Sequence, residues 1–81
     1  SMLMNEIQVT YFGKISEITG KGKERIAFSG YLSDLVKHIE KEYPDMVSQK
    51  YQISVNHSMV TGNPELSAND EIAFLPPFTG G

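Results

Sequence analysis

One segment limits the fold more than any other. From Tyr31 to Pro44 the chain reads YLSDLVKHIEKEYP, and Leu32, Leu35, Val36, Ile39 and Tyr43 recur at i, i+3, i+4, i+7 and i+11. That spacing places them on a single stripe of a helix. Ser29 or Gly30 is positioned to cap it, and Asp34 falls in or near the first turn, where the helix dipole favours an anion. Pro44 disfavours helical geometry at Tyr43 and marks the stop. No second segment carries so long a helical pattern, so the apolar stripe must be covered by other kinds of element.

Those elements alternate. In EIQVTYF (6–12), Ile7, Val9 and Tyr11 point one way and Gln8, Thr10 and Phe12 the other, the period of a half-buried strand. GKISEITG (13–20) has glycine at both ends and Ile15 and Ile18 three apart, which reads as a short helix or helical turn. KGKERIAFS (21–29) sets Ile26 and Phe28 against Arg25 and Ala27, a second strand in a hairpin with the first. A third strand is read at 51–55, a turn at Asn56-His57-Ser58, and a short fourth strand at 59–61. A loop over 62–70, with one turn of helix near Pro64–Leu66, leads to a last strand EIAFL at 71–75. Pro76 and Pro77 end it, since neither can donate to a ladder. One helix with one apolar face, among strands with one apolar face each, gives an α+β fold: a mixed sheet of about five strands packed on the helix, its other face open. Residues 1–75 form the domain, with Ser1-Met2 reading as a residual tag, and 76–81 form a flexible extended tail.

Composition narrows the function. With no cysteine among 81 residues, disulfides, thiolate catalysis and cysteine metal sites are excluded. The formal net charge is -3 with no basic stripe, so nucleic acid is not an expected partner. No apolar run approaches the ~18 residues of a membrane span. The absence of a signal-peptide pattern and of cysteine staples fits a cytoplasmic protein. The two histidines, His38 off the apolar stripe and His57 in a turn, have no carboxylate at ligand spacing, so no metal is expected. Glu40, Glu42 and Asp45 read as a solvated face, and GKGK (20–23) lacks the spacing of a phosphate loop. No catalytic side-chain constellation emerges, and no cofactor bound by this chain is expected.

The ending PPFTGG differs. Pro76-Pro77 favours an extended chain, and six extended residues reach roughly 20 Å. Gly80 and Gly81 can thread a narrow channel and adopt backbone angles closed to other residues. A terminal carboxyl is ionised at neutral pH, with a pKa near ~3.5. It is a poor electrophile, but it can attack the α-phosphate of ATP to give an acyl-adenylate, from which sulfur or an amine displaces AMP. The tail thus reads as a substrate arm. Strand parity adds a docking patch: Phe12, Met59 and Leu75 fall on the face opposite Tyr11, Val60 and Phe74 and share the open side.

The stretch VNHSMVTGNPELSANDEIAFLPPFTGG resembles the C-terminal third of molybdopterin synthase small subunits. The match lies in the Val55-Asn56 step, the Asn-Asp turn before an apolar strand, and Pro-Pro-x-x-Gly-Gly. IQVTYFGKISEITG resembles that family's opening strand and helix; between Lys21 and Lys50 only the element pattern agrees. The resemblance implies a ubiquitin-like β-grasp fold and a sulfur-carrier role in molybdenum cofactor synthesis. It implies that Gly81 is adenylated by an ATP-dependent activating enzyme and converted to a thiocarboxylate. Pro76, Pro77, Phe78, Thr79 and Gly80 would then insert into the large synthase subunit, in a heterotetramer, with Phe12, Met59 and Leu75 as docking positions. Sulfur would pass to cyclic pyranopterin monophosphate, with catalytic side chains on the large subunit. Phe78 stands where the family often has a smaller apolar residue. Carriers for thiamin thiazole synthesis or tRNA thiolation, and ubiquitin-like modifiers of lysines, share the fold and Gly-Gly and stay open as alternatives, as does a plain binding module with an inert tail.

Overall fold

In the computed structural model, which describes residues 5–77, strand β1 spans Glu6–Tyr11 with Ile7, Val9 and Tyr11 buried. Helix α1 (Lys14–Thr19) follows and buries Ile15; β2 (Lys23–Ala27) then returns antiparallel to β1, with Ile7 opposite Ile26 and Val9 opposite Glu24. Helix α2 occupies Leu32–Glu42 and turns Leu32, Leu35 and Ile39 into the core, with Val36 and Tyr43 packed at its margin.

The cap of α2 differs from the sequence expectation. The N-cap is Tyr31, whose backbone N–H donates to the Asp34 carboxylate at 3.3 Å. Ser29 and Gly30 are engaged elsewhere: the Ser29 hydroxyl oxygen accepts the Asn5 N–H, and the Gly30 carbonyl accepts the Leu66 N–H. Pro44 does stop α2, and it also opens a 3₁₀ helix, Pro44–Ser48, that drives Met46 into the core. Proline suits a first helical position because that N–H has no partner to lose.

Strands β3 (Gln52–Val55) and β4 (Ser58–Met59) form a tight hairpin. Asn56 and His57 both have positive φ, 52° and 69°, as a two-residue turn matching the right-handed strand twist requires. The short strand expected at 59–61 is therefore Ser58–Met59. No helical turn forms at Pro64–Leu66; Glu65 instead makes an isolated bridge to Tyr31, and the Leu32 N–H donates to the Pro64 carbonyl. Leu66 is buried by this arrangement.

Strand β5 (Glu71–Leu75) enters between β1 and β3, giving the order β2-β1-β5-β3-β4. It runs parallel to β1 and antiparallel to β3. The result is the mixed five-stranded sheet over one main helix that was expected, a ubiquitin-like β-grasp. Ile72 and Phe74 of β5 join Ile7, Val9 and Tyr11 of β1 against α2, while alternate residues face the opposite, uncovered side.

Candidate functional site

The uncovered side has a centre of small side chains. One row of register partners crosses four strands: Thr10 on β1 pairs Ala73 on β5, Ala73 pairs Ser54 on β3, and Ser54 pairs Met59 on β4. Threonine, alanine and serine side by side leave a dish, and larger residues wall it. Phe12 and Leu75 stand one step further along their strands' direction, Met59 closes the far end, and His57 and Glu71 form the remaining rim. The concavity has a volume of about 380 Å³. Phe12 is 46% exposed and Met59 50%, with Leu75 half-buried beside them. Phe12 lies one residue beyond β1, but its N–H still donates to the Phe74 carbonyl at 3.0 Å, which holds it on the strand line.

The three residues selected by parity therefore border one apolar concavity. Sequence reasoning missed its floor of Thr10, Ser54 and Ala73. The same period-2 count would have found them once the β1–β5–β3 register was known. Among the described residues, two other large apolar side chains are exposed, Tyr31 and Val47, and they lie away from this face, at the start of α2 and in the 3₁₀ helix.

Behind the dish, the last turn of β5 is gripped by aromatic rings. Phe74 is fully buried between Tyr11, at 5.9 Å between ring centroids, and Tyr51, at 5.2 Å in an edge-on arrangement. Tyr43 packs edge-on against Tyr11 at 6.0 Å. Each flanking tyrosine hydroxyl donates to a carboxylate: Tyr11 to Glu24 at 2.5 Å and Tyr51 to Glu40 at 2.6 Å. Glu40 is thus a hydrogen-bond acceptor in the packing, not part of a merely solvated face. Tyr43 also donates to Glu24 at 3.1 Å, and Lys21 lies 3.5 Å from its other oxygen. Burial, then the Glu24 carboxylate, push the Tyr11 hydroxyl above its ordinary value; burial and Glu40 do the same to Tyr51. Partial burial works against charge on Glu24, but the two hydroxyls and the Lys21 ammonium outweigh it and hold the carboxyl below its usual range.

The start of β5 is fixed just as firmly. The Asn56 side chain donates to Asp70 at 2.9 Å and accepts the Glu71 N–H at 2.9 Å, while its own N–H donates to the Glu71 carbonyl. Asn69 has φ 65° and its N–H reaches the Glu6 carbonyl at 2.7 Å; the Asp70 carboxylate accepts the Ser67 N–H at 2.7 Å. The Val55-Asn56 step and the Asn-Asp turn are therefore architectural. They set the register of β5, and so the point from which the tail departs.

Pro76 is half-buried at the end of β5 and Pro77 is exposed. Phe78, Thr79, Gly80 and Gly81, assigned to tail insertion and terminal chemistry, lie outside the described residues. His38 is exposed on α2, and His57 is exposed on its turn with Nε2 3.5 Å from Glu71. Among the described residues, no group of three His, Asp or Glu side chains could hold a metal ion, and no helix is long and apolar enough to cross a membrane. No buried side-chain nitrogen or oxygen among them lacks a hydrogen-bond partner.

Comparison with known proteins bears on this arrangement. Residues 9–81 match the ThiS family. The molybdopterin synthase sulfur carrier subunit of Homo sapiens is 34% identical over 83 residues, spanning 94% of both chains. Among solved structures, a putative molybdopterin converting factor subunit 1 from Pyrococcus furiosus superposes with a TM-score of 0.85, at 22% identity, over 91% of this chain and 99% of that one. A chain from the complex of subunits 1 and 2 of the molybdopterin-converting factor of Helicobacter pylori superposes with a TM-score of 0.72, at 25% identity, over 94% of this chain and 99% of that one.

Proposed function

From the premise that this chain belongs to the ThiS family, we propose that it is the sulfur carrier subunit of a molybdopterin synthase. The observation that carries the reading is the convergence at the end of β5. The strand that leads into the tail runs beside β1, so Phe12 and Leu75 meet at the tail's root on the rim of an apolar concavity. A partner seated on that face receives the tail at its own surface. The Helicobacter pylori relative is described in complex with a second subunit, which supports a large synthase subunit as that partner.

The chemistry belongs to Gly81. Its carboxylate oxygen attacks the α-phosphorus of ATP on an activating enzyme, releasing pyrophosphate and leaving an acyl-adenylate. Sulfide-level sulfur attacks the acyl carbon, AMP leaves as the acyl–phosphate bond breaks, and a thiocarboxylate remains. Pro76 to Gly80 then carry that group into the large subunit, where its sulfur passes to cyclic pyranopterin monophosphate. The sulfur bonds to a pterin carbon while still acylated, and water then cleaves that thioester, leaving the sulfur on the pterin and restoring the Gly81 carboxylate. The protein's own side chains bind and aim; they do not catalyse. Such a carrier works in the cytoplasm, where ATP and reduced sulfur are available.

The test is intact mass spectrometry after incubation with the cognate activating enzyme, ATP and a sulfur donor. The expected product has one terminal oxygen replaced by sulfur and transfers it to the pterin only when the large subunit is present. Lysine-linked adducts in cell extract would favour a ubiquitin-like modifier instead. An unchanged mass with the correct enzyme present would remove both readings.

A further inference from the structure

The turn that follows β1 meets the proline that follows β5. Gly13, the N-cap of α1, has φ 56° and ψ −131°, a conformation that L side chains rarely adopt. Its neighbour in space is Pro76: a Cβ built on Gly13 would stand 2.8 Å from Pro76 Cγ and 3.7 Å from Cδ. The proline ring thus fills the space a side chain at 13 would need.

The ladder explains why the two meet. Between β1 and β5 the Gln8 N–H donates to the Asp70 carbonyl and the Phe12 N–H to the Phe74 carbonyl. In this parallel register, the next rung would run from the N–H of residue 76 to the Phe12 carbonyl. Proline has no N–H, and the Phe12 carbonyl accepts the Ile15 N–H at 3.1 Å instead. The sheet therefore ends at Pro76 by two coupled devices. The rung is missing, and β1 veers into α1 at a residue small enough to let the ring sit against its backbone.

We propose that Gly13 is a positioning residue for sulfur transfer: its bare Cα is the seat for the Pro76 ring, and this seat sets the direction in which the tail leaves the sheet. This rests on the sulfur-carrier reading. The large subunit is held by Phe12, Met59 and Leu75, whereas Gly13 acts only through Pro76. A tail that leaves at the wrong angle still docks its root but delivers its end off target. Misplacement of a reacting group by about 1 Å costs up to about a hundredfold in rate.

The experiment is a double-mutant cycle of Gly13→Ala and Pro76→Ala, using carriers preloaded as thiocarboxylates. Three quantities are read: the thermal midpoint, the affinity for the large subunit, and the single-turnover transfer rate at saturating large subunit. Gly13→Ala introduces both backbone strain and a clash with the ring, and Pro76→Ala removes the ring. The expected result is a loss of at least about tenfold in the transfer rate for Gly13→Ala in the native background. With Pro76→Ala present, adding Gly13→Ala is expected to cost under about threefold, because the clash is gone while the strain remains. Adding Gly13→Ala is expected to change the affinity little in either background. Equal losses in both backgrounds, or a loss confined to the midpoint and the affinity, would overturn the proposal. Should Gly13→Ala not fold, Pro76→Ala alone decides: an unchanged single-turnover rate refutes the seat. A nuclear Overhauser contact between the Gly13 Hα protons and the Pro76 ring in the free protein is a readout independent of function. If it is present but the native chain transfers no sulfur, the carrier reading fails and the seat stands. If it is absent, the seat itself fails.

Discussion

Leu75→Glu puts a carboxylate on the rim of the concavity at a modest cost to the free fold. Leu75 is half-buried in the isolated chain, next to Phe12 and paired with Gln52 on β3. Fully burying a leucine is worth about 1.5–3 kcal/mol, so the part already covered in the free chain contributes about 1–2.5 kcal/mol. Glutamate's poorer fit to a strand adds up to about 1 kcal/mol. For a domain of this size each kcal/mol lowers the thermal midpoint by about 4–8 °C, so the variant should remain folded at room temperature. Docking is a different matter. A partner seated on the concavity would take the carboxylate out of water without a counter-charge, at a cost of about 3–5 kcal/mol. That corresponds to a rise in Kd of at least about a hundredfold. Titration calorimetry against the large subunit measures it. Val47→Glu is the control, because it makes the same change in net charge at a residue 66% exposed in the 3₁₀ helix, away from the dish. The reasoning fails if Leu75→Glu stays within about threefold of the native Kd, or if Val47→Glu weakens binding equally.

Glu24→Gln should destabilise the fold by about 1–3 kcal/mol at neutral pH, since it removes a charged acceptor from two tyrosine hydroxyls. The native Glu24 carboxyl is held below its unfolded value, so its contribution is present above about pH 4.3 and is lost as pH falls through the folded value. Urea titrations at neutral and acid pH should accordingly show the variant's deficit shrinking in acid; a constant deficit would refute the linkage. At the alkaline end, Tyr11 and Tyr51 are raised, so their contributions are full below about pH 10 and lost as pH rises beyond it. Phenolate absorbance should show at least two of the four tyrosines ionising only as the circular dichroism signal collapses. Deletion of Gly81 should abolish sulfur transfer while leaving the thermal midpoint and large-subunit affinity unchanged; a large drop in the midpoint would mean the last residue is part of the fold.

The legible parts of the fold were those governed by a period. The α2 stripe, the alternation in β1 and the limits of β5 depend on which residues face the core, and apolar spacing reports that directly. The parts that were missed depend on competition between distant groups. Ser29 has the chemistry of a cap but its oxygen is taken by Asn5, so Tyr31, which no cap preference selects, starts α2. Met46 and Leu66 sit in stretches without periodicity and are buried by a 3₁₀ helix and by a loop bridged to Tyr31. The site divides in the same way. Parity alone grouped Phe12, Met59 and Leu75, but the floor of Thr10, Ser54 and Ala73 needs the register of three strands. The Tyr11–Glu24 and Tyr51–Glu40 pairs join residues 13 and 11 positions apart across different elements, and no local pattern announces them.

The place of β5 in the sheet has a consequence for the life of the molecule. Without β5 the ladder would reduce to two separate hairpins, β1–β2 and β3–β4, because β5 alone pairs with both. Phe12 then belongs to one hairpin, Met59 to the other, and Leu75 to the strand still outside. No partial structure can present the three together, and none can fix the point where the tail departs. On the proposed sulfur-carrier reading, an enzyme that grips this face would find it whole only on a chain that has closed its sheet around the last strand.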